Sequence, residues 1–161
     1  MFQVKNKILL NLVLLFSIFA ILAAYFIQYV LGHQPCNLCL IERVPYIFSI
    51  IIILICLLSQ RFEKIVLLTL SLTFFAATLL SLFHFGIEQG FIKESLVCDL
   101  NSPSGELSKE ALLNQLKEMP ISCKNITFKV FGLSLATFNI FISLILSAIT
   151  IKNFLTYEKN K

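Results

Sequence analysis

Apolar residues in this chain come in four long blocks, with the polar and charged positions gathered between them. Ile8 to Leu31 is interrupted only by Asn11, Ser17 and Gln28. Val44 to Ser59 is a second block, Ile65 to Phe85 a third, and Val130 to Ile151 a fourth. None alternates with a period of two, so membrane strands are not indicated. A block of about 20 apolar residues is long enough to cross a bilayer as a helix. The second block reaches that length only with part of Cys36–Arg43, and Pro45 is tolerated in a first helical turn. The pattern predicts an all-α membrane protein, a four-transmembrane-helix bundle, with spans at about 8–31, 41–59, 65–85 and 130–151. The first block has the lysines and alanines of a signal peptide, but it exceeds the ~7–15 residues of a signal core, which favours a retained helix.

Composition agrees with this reading. Of 161 residues, 58% are hydrophobic and 14% charged, against roughly 25% charged in a soluble domain, and the mean hydropathy is +0.88. The chain therefore reads as one integral membrane domain over residues 1–161. The net charge of +4 is modest and no basic cluster is interleaved with aromatics, so nucleic acid is set aside as a partner. Lys5, Lys7, Arg61, Lys64, Lys152, Lys159 and Lys161 fall on one side of the predicted bundle, with only Glu63 and Glu158 as acids there. That side is predicted to be cytoplasmic, with both termini in, and the loops at about 32–40 and 86–129 facing out. Tyr25, Tyr29 and Tyr46 are expected near the outer interface. Gly132, Ser134 and Ala136 are expected to let the fourth helix approach its neighbours closely, and Asn139 to hydrogen-bond across the bundle.

On this topology Cys36, Cys39, Cys98 and Cys123 share the outer face, where disulfides persist. Cys36 and Cys39 stand three apart at the start of a helix, a spacing that puts both on one face. Unpaired N–H groups at a helix start favour a thiolate, and Arg43 adds a positive charge one turn on. Cys98 and Cys123 bracket the outer loop. Taken alone they read as a static staple worth about 3 kcal/mol; beside a second pair they could also exchange with it. Between them, Asn101 to Gly105 is turn-forming. Ser108 to Met119 reads as a short amphipathic helix that either lies on the bilayer or packs on the bundle. A four-cysteine zinc site has poor spacing, so no metal is expected. Leu40 after Cys39 excludes the usual haem attachment. Cys56, mid-span, reads as an inert buried thiol, and His33 as interfacial.

The segment Pro35-Cys36-Asn37-Leu38-Cys39-Leu40-Ile41-Glu42-Arg43, followed by Pro45-Tyr46, resembles the first redox motif of the DsbB family of disulfide bond formation proteins. His84-Phe85-Gly86-Ile87-Glu88 is similar to that family's His-x-Gly-Val-Glu element. Cys123 to Asn139 is similar to its last loop cysteine and fourth helix. Together these motifs extend over most of the chain. DsbA, DsbB and quinone keep the bacterial periplasm oxidising. The resemblance implies that a periplasmic DsbA-like thiol oxidase attacks a Cys98–Cys123 disulfide, most readily at Cys98. Electrons then pass to Cys36–Cys39 and on to a membrane quinone, ubiquinone or menaquinone. It implies that Arg43 stabilises negative charge on thiolate and quinone oxygen, and that His84 lies in the quinone region. Glu42 reads as structural, since neighbouring residues do not face each other on a helix. The implied location is the bacterial inner membrane, with lipid around the bundle. Phe138 and Phe83 replace the tryptophan and tyrosine common at these places in the family.

Two other readings stay open from the residues alone. One is a non-catalytic membrane scaffold with structural disulfides. The other is a quinone reductase of the vitamin K epoxide reductase kind, although there the Cys-x-x-Cys follows the loop cysteines, and here it precedes them.

Overall fold

The computed structural model describes residues 4–59, 62–93, 123, 129–130 and 132–159. Four helices in it are long and apolar enough to cross a membrane. Helix α1 covers Val4–Tyr29. The next span is broken into a short α2, Asn37–Ile41, and α3, Val44–Ser59. Helix α4 covers Glu63–Glu88 and α5 covers Leu135–Lys159. Before α5, β1 (Lys129–Val130) and β2 (Leu133–Ser134) pair antiparallel, with Lys129 opposite Ser134 and Val130 opposite Leu133. The architecture is the expected all-α bundle of four spans. Cys98 and the predicted helix Ser108–Met119 lie outside the described residues.

The break between α2 and α3 has a local cause. Pro45 has no N–H to offer the Ile41 carbonyl, and its ring crowds that carbonyl. The backbone turns at Glu42 and Arg43 and resumes with Tyr46 and Ile47 both donating to the Arg43 carbonyl. As a result two adjacent side chains leave the chain in different directions.

The start of the fourth span differs from expectation. Gly132 has φ +82° and Ser134 is in the ribbon, so neither belongs to a helix. The Ser134 hydroxyl accepts from the Thr137 N–H at 3.2 Å, which caps α5 and sets its first residue at Leu135. Ala136 is buried, as a close-packing position should be. Close approach between α4 and α5, the most extensive helix pair, is instead supplied further along by Ser71, Ala77 and Ser81 facing Ser143 and Ser147. The Ser147 hydroxyl donates to the Ser71 carbonyl at 3.1 Å.

The main core joins Leu10 and Val13 of α1, Tyr46, Ile53 and Cys56 of α3, and Val66, Leu67, Leu70 and Phe74 of α4. Around it, large apolar side chains such as Leu15, Leu58 and Phe141 point outward. An exterior of this kind suits hydrocarbon. Helix α1 packs mainly on α3, and α5 mainly on α4, so a gap remains between α1 and α5 at the end that carries α2.

Candidate functional site

That gap is a cavity of about 340 Å³. Phe16, Phe19, Ala20, Ala23 and Ile27 of α1 and Phe138 and Ile142 of α5 form its apolar walls. At its polar end stand Cys36, Cys39, Cys123, Glu42, Arg43 and His84. Apolar walls with a few convergent polar groups are the usual build of a small-molecule site.

Cys36 caps α2, and its sulfur accepts from the Cys39 N–H at 3.3 Å. Both are thiols in this structure, with sulfurs 2.6 Å apart. That is inside ordinary non-bonded contact, so the pair is placed to close a disulfide without moving the backbone. The Cys39 thiol beside it, and then His84, hold the Cys36 thiol well below the ordinary thiol range, and burial opposes them. The helix-start placement expected from the three-residue spacing is what the structure has.

His84 comes from α4, with its Nε2 3.5 Å from the Cys36 sulfur and its Nδ1 2.8 Å from Glu42 Oε1. The histidine therefore touches the first cysteine as well as lining the cavity. Glu42 is more than a structural residue. Its other oxygen accepts from Asn139 Nδ2 at 3.1 Å, and that nitrogen also reaches Ser81 Oγ at 2.7 Å. Asn139 Oδ1 accepts from the Tyr46 hydroxyl, and from Ser143 Oγ at 3.2 Å. One buried network thus ties α3, α4 and α5 to the cysteine pair. Tyr46, expected at the interface, is 6% exposed and belongs to this network. Tyr25 and Tyr29 are exposed and stacked, as interfacial rings would be.

Arg43 leaves the helix break toward α1. It donates to Gln28 Oε1 at 2.7 Å and lies 5.2 Å from the Tyr25 ring centre, so the cation is fixed on the cavity wall. His33 also lines the cavity. Glu88, one turn after His84, has an oxygen 3.7 Å from His84 Nε2, while its Oε2 is buried without a hydrogen-bond partner.

Of the loop cysteines, Cys123 is disulfide-bonded, 3% exposed, and packed in one cluster with Cys36, Leu38 and Ile87 against Cys39. The structure thereby brings together Cys36, Cys39, Cys123, Arg43 and His84. Glu42 and Asn139 complete the site. Only Asn139 was marked in the sequence as a cross-bundle donor. A rule for continuous helices turns Glu42 away from the site, and it is the break at Pro45 that directs it inward.

Comparison with known proteins gives a consistent answer. The profile described as disulfide bond formation protein DsbB matches residues 6–152. An uncharacterized protein of Rickettsia prowazekii (strain Madrid E) is 33% identical over 141 residues, which cover 85% of this chain and 81% of that protein. With the match running from the first span into the fourth, the chain belongs to the DsbB family of disulfide bond formation proteins.

Proposed function

We propose that the protein is a thiol:quinone oxidoreductase of the bacterial inner membrane that re-oxidises a periplasmic DsbA-like dithiol. The observation that carries this reading is the packing of disulfide-bonded Cys123 against the Cys36–Cys39 pair at the polar end of an apolar cavity. The positive-inside distribution of lysine and arginine supports both termini in the cytoplasm and the cysteines on the periplasmic side.

The residues divide the work as follows. The partner's dithiol opens a Cys98–Cys123 disulfide by exchange at Cys98, leaves oxidised, and hands two electrons to the loop pair. A loop thiolate then attacks Cys36, Cys39 departs as thiolate, and the second loop thiol resolves the mixed disulfide with Cys36 as leaving group. A thiol of low pKa leaves faster, and Cys36 is lowered by Cys39 and His84. His84 Nε2, with Nδ1 fixed by Glu42, is placed to hold or move the proton at the Cys36 sulfur.

The cavity fits a quinone ring: its walls are apolar, its volume is that of a small-molecule site, and Arg43 offers a cation at one edge. Bound there, ubiquinone or menaquinone supplies a sink for two electrons and two protons. Closing of the Cys36–Cys39 disulfide would release two electrons and two protons to such a sink. Arg43, held on the cavity wall by Gln28, would stabilise negative charge on a ring bound there.

The test is to mix detergent-solubilised protein with a reduced DsbA-like partner and a quinone and to follow quinone absorbance. Turnover is expected, with Cys36→Ser and Cys39→Ser inactive and Arg43→Ala requiring more quinone. Undiminished turnover by Cys36→Ser would refute the reading.

A further inference from the structure

The sulfurs of Cys36 and Cys39 and a ring nitrogen of His84 all lie within 4.8 Å of one another, a separation that one metal ion can span. We infer that, when the Cys36–Cys39 pair is reduced, these three residues form a binding site for a thiophilic divalent cation such as zinc. Two thiolates and one imidazole are a recognised zinc donor set, which leaves a fourth position open.

Two further features point to a ligand. First, His84 carries the outer partner typical of a metal-binding imidazole. Its Nδ1 is bound to Glu42 at 2.8 Å, and Glu42 is held in turn by Asn139, so Nε2 is directed at Cys36. Second, the Glu88 carboxylate lies on the Nε2 side of His84 at 3.7 Å, its side chain 6% exposed and its Oε2 without a hydrogen-bond partner. An uncompensated buried oxygen of this kind is costly, and a cation beside it would remove that cost. Glu88 also lines the cavity with the three donors.

Binding requires the two sulfurs to move from 2.6 Å to the spacing of tetrahedral ligands, about 3.7 Å for zinc–sulfur bonds of ~2.3 Å. Only a reduced pair can do this. Each cysteine binds as a thiolate, so any remaining thiol proton goes to solvent and no electron moves. The occupied site holds the pair open as a dithiolate and prevents it from closing a disulfide. The donor set differs from the four-cysteine arrangement that the spacing argues against, because His84 replaces the distant loop cysteines.

The test uses the full chain in detergent, reduced, freed of reductant under nitrogen and titrated with cobalt(II), then zinc(II). The expected result is a thiolate-to-cobalt charge-transfer band that saturates at one ion per chain and is displaced by zinc. Cys36→Ser and Cys39→Ser should each abolish the band. Glu42→Gln should weaken binding by about 10–100-fold through loss of the outer partner. The same chain with both disulfides closed is the folded control and should take up no cobalt. Failure of the reduced chain to bind, an unchanged band in Cys36→Ser, or equal uptake by the oxidised chain would each overturn the site. None of these readings requires turnover, so they stand apart from the quinone assay.

Discussion

A histidine held between a carboxylate and a thiol, as His84 is between Glu42 and Cys36, works through which of its neighbours is charged. Cys36 has its thiol pKa lowered in the folded protein, by Cys39 first and also by His84. Its thiolate is therefore favoured by folding. That contribution to stability is fully present above the ordinary thiol pKa, and is lost as pH falls through the lowered value. In the reduced protein, alkylation of Cys36 followed by peptide mass spectrometry should be nearly independent of pH between about 6 and 8. In His84→Ala the midpoint of the alkylation profile should move to higher pH, with the Cys39 contact, the larger cause, still holding it below the ordinary thiol value. A midpoint unchanged from that of the parent protein would show that the histidine does not act on the sulfur. Asn139 is the other residue of consequence, because one side chain serves Glu42, Ser81 and Tyr46 together. Asn139→Ala strands those partners and should cost about 2–3 kcal/mol in detergent unfolding. A loss under about 0.5 kcal/mol, the range of a neutral surface change, would mean that the partners are satisfied elsewhere.

Among the elements, the broken second span does most to build the site. The two halves share one apolar block, yet α2 presents the cysteine pair and α3 presents Tyr46. Between them Glu42 and Arg43 diverge, one to α4 and α5, the other to α1. Pro45→Ala restores the N–H that a continuous helix would use and removes the ring clash. The expected outcome is an unchanged or higher melting temperature with turnover lower by about tenfold, since small displacements of catalytic groups are expensive in rate. Full turnover in this variant would show that the break is not what places Glu42. The start of α5 makes a related point. A hydrophobic block that begins at Val130 does not tell where a helix begins, because Gly132 and Ser134 serve a turn and a cap.

Across the whole molecule, hydrophobicity and burial are decoupled. Leu67 is fully buried and Leu58 is 85% exposed, although both lie in apolar helices. In hydrocarbon an outward leucine gains no transfer energy from the bundle, and only packing distinguishes the two. Leu67→Ala should therefore cost about 3 kcal/mol, and Leu58→Ala less than about 0.5 kcal/mol, in reversible detergent unfolding. Equal losses would show that the bundle interior is not packed as described.

Several features of this protein are local properties of its sequence. Block length and charge placement identify four spans, because crossing a bilayer needs about 20 apolar residues and disfavours charge. The three-residue spacing of Cys36 and Cys39 at a helix start identifies a redox-capable pair, since helical pitch alone brings them together. The tertiary structure decided what those elements surround. His84 meets Cys36 across 48 positions and Asn139 meets Glu42 across 97, distances over which no periodicity carries information. The direction of Glu42 is likewise set by the fold, because one missing N–H at Pro45 breaks the helix just before it and changes which way the preceding turn faces.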